Sequence, residues 1–249
     1  MRVLHLTDPH LFADRSGALR GAVTYDTLQS VIEHYGHGDF SADLVALTGD
    51  IIQDDSAEAY AHCHDLLSAL DLPVLCVPGN HDVRHLMRDM LPEPPFSYCD
   101  SVAIGNWLIV GIDSCSAGRP GGKIAERELR RMEETIAASS AEHVMICLHH
   151  PPVPMHSKWL DSVGLDNGDE LLSRATSAGR VRAAIFGHVH QDYDARHDGI
   201  RLIATPSTCR QFLPRADEFA VDDRPPAYRC VGLQPDGSIS AELVWVENG

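Results

Sequence analysis

Apolar residues run along this chain in two rhythms. Short unbroken runs at residues 2–7, 44–47, 73–77, 144–148 and 181–186 read as strands covered on both faces. Between them, apolar positions recur three and four residues apart. Residues 24–36 carry Leu28, Val31, Ile32 and Tyr35, and residues 56–70 carry Ala59, Tyr60, Cys63, Leu66, Leu67 and Leu70. Each set predicts a helix with one buried stripe. Residues 83–91, 125–138 and 170–178 predict three more, the first halted by the proline-rich stretch 92–95. The remaining runs flank turn signals. Residues 96–104 and 107–112 surround Gly105-Asn106, residues 192–197 and 200–204 surround Asp198-Gly199, and residues 227–233 and 238–246 surround Pro235-Asp236-Gly237. These spacings predict hairpins. Strand alternates with helix in the first half and hairpins fill the last quarter. That order predicts a layered α/β sandwich, partly parallel, with antiparallel additions. Residues 214–226 are expected to form an irregular surface loop. There is no internal repeat or linker, and 249 residues suit a single domain spanning 1–249.

Composition narrows the partners. Acidic residues outnumber basic ones 36 to 20, for a net charge of −16. Such a balance argues against general binding to DNA, RNA or an anionic membrane, which all need a basic face. No apolar run approaches the roughly 20 residues of a membrane helix. No basic region, apolar stretch and cleavage site follow one another at the N-terminus, so a cytoplasmic protein is expected. The seven cysteines are odd in number and lack zinc or redox spacing. Cys76 and Cys147 sit within apolar runs and are expected as buried thiols in a reducing compartment. Of the 15 histidines, His34, His37, His62, His64, His143 and His197 are expected to be solvated or capping.

The other histidines change the picture. Asp8-Pro9-His10 follows the first apolar run, Gly49-Asp50 the second, Gly79-Asn80-His81-Asp82 the third, His149-His150-Pro151 the fourth and Gly187-His188-Val189-His190 the fifth. Strand ends in open α/β sheets are where sites are built. Asp8 and His10 are two apart, as are His188 and His190, so in extended backbone each pair points one way. Asp50 follows a glycine, and its two oxygens can bridge two ions. Asn80 adds a neutral carbonyl oxygen and His149 an imidazole. Two carboxylates, one amide and four imidazoles, with one bridging residue, supply four protein contacts to each of two ions. Oxygen and nitrogen donors without thiolate suit Mn, Fe, Zn or Co. Two divalent ions against two carboxylates leave about two positive charges, enough to draw in an anionic phosphoester despite the acidic surface. Ions roughly 3.5–4 Å apart can hold a hydroxide and the phosphoryl oxygens together. The plainer readings are an N-cap for Asp50, for which Asp54 and Ser56 compete, and turn residues for Asn80 and His81. Of the adjacent His149 and His150, at most one should point inward.

Taken in this order, the five motifs resemble the calcineurin-like metallophosphoesterase superfamily. Leu11-Phe12, Asp113-Ser114, Trp159-Leu160-Asp161, Thr205-Pro206-Ser207-Thr208-Cys209 and Gln211-Phe212 extend the resemblance to the bacterial class III 3′,5′-cyclic-AMP phosphodiesterases. The resemblance implies a four-layer α/β/β/α sandwich of mixed sheets. It implies one ion on Asp8, His10, Asp50 and His190, and a second on Asp50, Asn80, His149 and His188, with His149 the ligand and His150 behind it. His81 would contact the phosphate and protonate the leaving oxygen as the catalytic acid. Substrate contacts would come from His10, Asp50, Asn80, His81 and His190. The implied reaction is hydrolysis of cyclic AMP to AMP by metal-bound hydroxide, with two divalent ions (Fe, Mn or Zn) as cofactors and a small anionic phosphodiester as substrate. Alternatives are a broad diesterase such as a glycerophosphodiesterase, a non-catalytic metal-binding scaffold, and, against the charge balance, a nuclease. Asp82 could orient His81 or Asn80 but is expected to cap the following helix, and residues 205–208 are either a plain strand exit or a candidate pocket lining. Trp159 is read evenly as core and pocket wall or as a base-stacking residue. Arg210, if it lies at the site, would bind phosphate as a cation.

Overall fold

Consecutive strand residues point to opposite faces, and here both faces are apolar because both are covered. The computed structural model describes residues 1–92 and 94–247, so Glu93 of the proline-rich stretch and residues 248–249 lie outside it. The strands are β1 (Arg2–Leu6), β2 (Ala18–Leu19), β3 (Ala22–Val23), β4 (Leu44–Thr48), β5 (Val74–Val77), β6 (Phe96–Tyr98), β7 (Ser101–Ile104) and β8 (Trp107–Gly111), followed by β9 (His143–Leu148), β10 (Val181–Phe186), β11 (Tyr193–His197), β12 (Ile200–Ala204), β13 (Gln211–Phe212), β14 (Val221–Asp222), β15 (Ala227–Leu233) and β16 (Ile239–Trp245). The helices are α1 (Thr24–Gly36), α2 (Ala57–Ser68), α3 (Arg84–Met90), α4 (Glu126–Ala138), α5 (Lys158–Asp161) and α6 (Gly168–Ser177).

Two six-stranded mixed sheets result, ordered β16-β15-β1-β4-β5-β6 and β11-β12-β10-β9-β8-β7. Alternation sorts their side chains into three apolar layers. Leu4, Leu6, Val45 and Leu47 face outward onto Leu28 and Val31 of α1 and Tyr60 and Leu67 of α2. Val144, Ile146, Ala184 and Phe186 face the opposite way onto Leu129 and Met132 of α4 and Leu171 of α6. Between the sheets lie Val3, Leu44, Ala46, Trp107, Ile109, Met145, Cys147, Ala183 and Ile185. This is the four-layer α/β/β/α sandwich. The last hairpin completes the first sheet, because β15 runs antiparallel to β1 with Leu4 opposite Cys230.

Two expectations change. Residues 96–104 do not form one strand. Cys99 takes φ 46°, and the chain crosses from β6, parallel to β5 in the first sheet, to β7, antiparallel to β8 in the second. His143 is not solvated: it opens β9, is buried, and packs against the Trp107 ring. All seven cysteines are free, as expected, and burial pushes the Cys76 thiol up to about 12.

The inter-sheet layer is what keeps the strand ends in register across the sandwich. Ile185→Ala, in that layer and wholly buried, should lower unfolding free energy by about 2–5 kcal/mol. Leu213→Ala, 45% exposed, should change it by less than about 0.5 kcal/mol. Urea denaturation of both variants checks the contrast.

Candidate metal centre

Five parallel-strand ends converge at one edge of the sandwich, and all seven expected ligands meet there. Asp8 and His10 leave β1, Asp50 leaves β4, Asn80 leaves β5, His149 leaves β9, and His188 and His190 leave β10. They form two groups. In the first, His10 Nε2 lies 3.1 Å from His190 Nε2, 3.7 Å from Asp50 Oδ2 and 4.0 Å from Asp8 Oδ1, and His190 Nε2 lies 3.4 Å from Asp8 Oδ1. In the second, His149 Nε2 lies 3.4 Å from Asp50 Oδ1, 3.2 Å from Asn80 Oδ1 and 3.2 Å from His188 Nδ1. Ligand atoms tetrahedrally disposed around one ion are about 3.4 Å apart at normal bond lengths. Asp50 gives one oxygen to each group, which is the geometry of a bridge.

Hydrogen bonds on the outer side of the rings decide what these nitrogens are. His10 Nδ1 donates to Gln53 Oε1 at 2.8 Å, His190 Nδ1 to the Arg210 carbonyl at 2.5 Å, and His149 Nδ1 to the Thr48 carbonyl at 2.8 Å. In the neutral ring each Nε2 is therefore a bare lone pair. In the first group two lone pairs and two carboxylate oxygens face one another with no proton among them. That arrangement is repulsive unless a cation sits at its centre, and the donor chemistry fits two divalent ions. Burial lowers His10 to about 4 and His188 to about 3, which keeps both rings neutral. Burial also acts to lower His149, but the Asp50 carboxylate outweighs it and raises this imidazole to about 9. A proton thus competes for the place of the second ion and is displaced when metal binds. His188 Nε2 is buried without a hydrogen-bond partner among the described residues, so the protein leaves that tautomer free.

The backbone is bent to achieve this. Asp8, His10, Asp50, His188 and His190 have φ of 52°, 48°, 49°, 68° and 49°. Asp and His tolerate this left-handed region better than most residues, yet it carries strain that clusters at functional sites. Two motif glycines make room. A Cβ on Gly187 would lie 2.0 Å from Thr7 Oγ1 and 2.6 Å from Asp8 Oδ2, and one on Gly49 would lie 2.5 Å from the Gly79 nitrogen.

Neighbouring residues brace the ligands. Asp82 does not cap α3, whose N-cap is Val83. Its part-buried carboxylate accepts from the Gly79 and Ile51 amides and the Tyr60 hydroxyl, tying the Asp50 and Asn80 turns together. Burial, and then the Asp50 charge, raise Asp82 to about 7. Ser56 caps α2, which leaves Asp50 free of that duty. His150 lies close to His149 and His188, but both its nitrogens are engaged: Nδ1 accepts from Ser114 Oγ at 2.9 Å and Nε2 donates to the Pro120 carbonyl at 3.1 Å. Residues 205–208 do not line the pocket. Ser207 is buried and its hydroxyl donates to the Asp8 carbonyl at 2.7 Å. Arg210 points its guanidinium away, donating to the Arg20 carbonyl at 3.1 Å.

A cavity of about 330 Å³ opens above the two groups. Its floor is His10, Asp50, Asn80, His81, His188 and His190, while Asp8 and His149 lie beneath. The His81 ring stands edge-on to His10 with centroids 5.0 Å apart, and its amide donates to Asp50 Oδ1 at 2.9 Å. One wall is apolar: Leu19, Trp159, Val163, Phe212 and Phe219. Trp159 is thus both core and wall. Phe212 stacks on His190 at 4.0 Å between centroids, and Arg20 covers Phe219 at 5.0 Å. Arg20 brings a guanidinium to the lining of this cavity. Sequence reasoning missed Arg20 and Phe219, which lie in segments with no periodicity.

Known proteins point the same way. Curated relatives include the 3′,5′-cyclic adenosine monophosphate phosphodiesterase CpdA of Escherichia coli (strain K12), 36% identical over 98% of this chain and 89% of its own length. The Haemophilus influenzae protein of the same name is 33% identical over the same shares. Among solved structures, a dimetal phosphatase from Danio rerio has a TM-score of 0.68 at 16% identity over 99% of both chains, a likeness of fold. The calcineurin-like phosphoesterase model matches residues 1–192. With that match over most of its length, the chain belongs to the calcineurin-like phosphoesterase family.

Proposed function

We propose that this protein is a two-metal phosphodiesterase that opens 3′,5′-cyclic nucleotides, cyclic AMP foremost, to the 5′-nucleotide. The single observation that carries the reading is Asp50, whose two oxygens serve two separate groups of nitrogen and oxygen donors. The named activity of the relatives supplies the substrate class. Asp8, His10, Asp50 and His190 would hold one ion and Asp50, Asn80, His149 and His188 the other, the ions being Fe, Mn or Zn. When bound, the pair supplies an activated water and positive charge against the phosphoryl oxygens.

The chain's own groups do the rest. His10, Asp50, Asn80, His81 and His190 line the floor where a phosphate would rest. The His81 imidazole would give its proton to the departing ribose oxygen. The apolar wall offers Trp159, Phe212 and Phe219 as faces for a base, and Arg20 stands at the rim. We take the chain as one domain acting in the cytoplasm. That reading is compatible with the absence, among the described residues, of any helix long and apolar enough to cross a membrane.

Metal content, substrate preference and three variants test this. The purified protein should hold two divalent ions per chain by elemental analysis and turn over cyclic AMP. Asp50→Ala should lose both the ion pair and the activity. Faster hydrolysis of glycerophosphocholine than of cyclic AMP, or inertness toward every diester, would overturn the assignment. His81→Ala should keep both ions and lower kcat on cyclic AMP by about 10²–10⁴. On a bis(p-nitrophenyl) diester, whose leaving group needs no proton, the loss should be far smaller. Phe219→Ala should raise KM for cyclic AMP about fivefold or more, the low end for loss of one stacking face, with kcat little changed in steady-state assays.

A further inference from the structure

The alternation that places Val3, Leu44, Ala46 and Ile203 between the sheets places polar residues there too, at the carboxyl ends of the same strands. His5, Thr48, Thr205 and Arg229 are 0%, 0%, 0% and 3% exposed. They form one hydrogen-bonded series that ends on a candidate ligand. Arg229 Nε is 3.4 Å from Thr205 Oγ1, Thr205 Oγ1 is 2.6 Å from His5 Nδ1, and His5 Nε2 is 2.8 Å from Thr48 Oγ1. Thr48 Oγ1 is 2.8 Å from Thr7 Oγ1, which is 2.6 Å from Asp8 Oδ2.

The two ends dictate the direction of every bond. A carboxylate only accepts, so Thr7 donates to Asp8 and must receive from Thr48. A guanidinium only donates, so Thr205 receives from Arg229 and passes its own hydrogen to His5 Nδ1. His5 then carries its proton on Nε2 and gives it to Thr48. Burial, with Arg229 close by, drives His5 down to about 3 and keeps that ring neutral. Five bonds thus point one way from a buried cation to a buried anion. Their dipoles are aligned, so each strengthens the next. Asp192 holds the far end by pairing with Arg229.

The effect falls on how Asp8 presents itself. Oδ2 alone accepts from the Thr7 hydroxyl, while the His188 amide is shared by both oxygens, 3.0 Å from Oδ2 and 3.1 Å from Oδ1. Oδ1, 3.4 Å from His190 Nε2, is the oxygen turned into the first group. Thr7 has a rival acceptor in the Thr48 carbonyl at 3.2 Å, which already receives His149 Nδ1. The Thr48 hydroxyl fills a lone pair of Thr7 and so holds the Thr7 hydrogen on Asp8.

We propose that this buried donor series is the positioning device for Asp8, and that it sets the affinity of the ion shared by Asp8, His10, Asp50 and His190 while sparing the ion on Asn80, His149 and His188. The inference rests on the two-metal reading above. Its test is Mn(II) titration of metal-free protein, followed by calorimetry and electron paramagnetic resonance. Wild type and Thr48→Ser should bind two ions and give the spectrum of a coupled pair. Thr48→Val keeps the shape and the carbonyl but loses the hydroxyl. It should bind one ion normally and the other about 10–100-fold more weakly, the usual cost of losing an outer hydrogen bond, and show isolated Mn(II) at low loading. Thr205→Val should move the same way by less, with Thr205→Ser restoring it, and stands in if Thr48→Val does not fold. Two normal ions in both valine variants would overturn the proposal. So would equal weakening of both ions in step with a lower melting temperature of the metal-free protein, which marks a packing defect. Fewer than two ions in wild type would instead remove the two-metal reading beneath it.

Discussion

Acceptors that face acceptors are the constraint on which this structure turns. His10 and His190 present bare nitrogens to each other at 3.1 Å because Gln53 and the Arg210 carbonyl hold their protons on the outer side. Asp8 and Asp50 add negative oxygens to the same space. No rearrangement of protons confined to the neutral rings satisfies all four. Only a cation does, and its charge is also what a phosphoester on an acidic protein needs to find.

Such a cluster survives only on a stiff frame. The ligands leave β1, β4, β5, β9 and β10, and the strands before them are buried on nearly every residue. The inter-sheet layer from Val3 to Leu233 locks one sheet against the other. Each ligand then sits one to four residues past a strand that cannot shift. The left-handed turns at Asp8, Asp50 and His188 swing the side chains inward. Gly187 lets the β10 exit approach Thr7 and Asp8 more closely than any side chain would permit.

This explains which parts were legible in the sequence. Unbroken apolar runs, and candidate ligands soon after them, are local signals, so the main strands, a layered α/β sandwich and the seven candidate donors could be read from short windows, whereas the four-layer order came from the family resemblance. The crossing at Cys99 could not. Residues 96–104 are uniformly strand-like, and only a left-handed residue in the middle sends the two halves to different sheets. Asp82 looked like a cap because it precedes a helix. Its real partners, the Ile51 amide and the Tyr60 hydroxyl, are 31 and 22 residues away. His5 and Thr205 touch across 200 residues, and no pattern in either neighbourhood announces the pairing. Phe219 and Arg20 belong to segments whose meaning is set only by the cavity they close.

The balance of forces makes the site a burden on the metal-free chain. Left-handed backbone at a residue other than glycine costs about 1–3 kcal/mol, less for Asp and His. A buried acceptor without a donor costs about as much. A domain's whole stability is only about 5–15 kcal/mol, so this edge of the sandwich consumes a sizeable share, offset by apolar packing elsewhere. A cation that binds the folded chain and not the unfolded one returns that free energy in proportion to its affinity. Strain at the strand ends and affinity for metal are therefore two sides of one equilibrium. The side chains that hold Asp8 and His149 in place act on both at once.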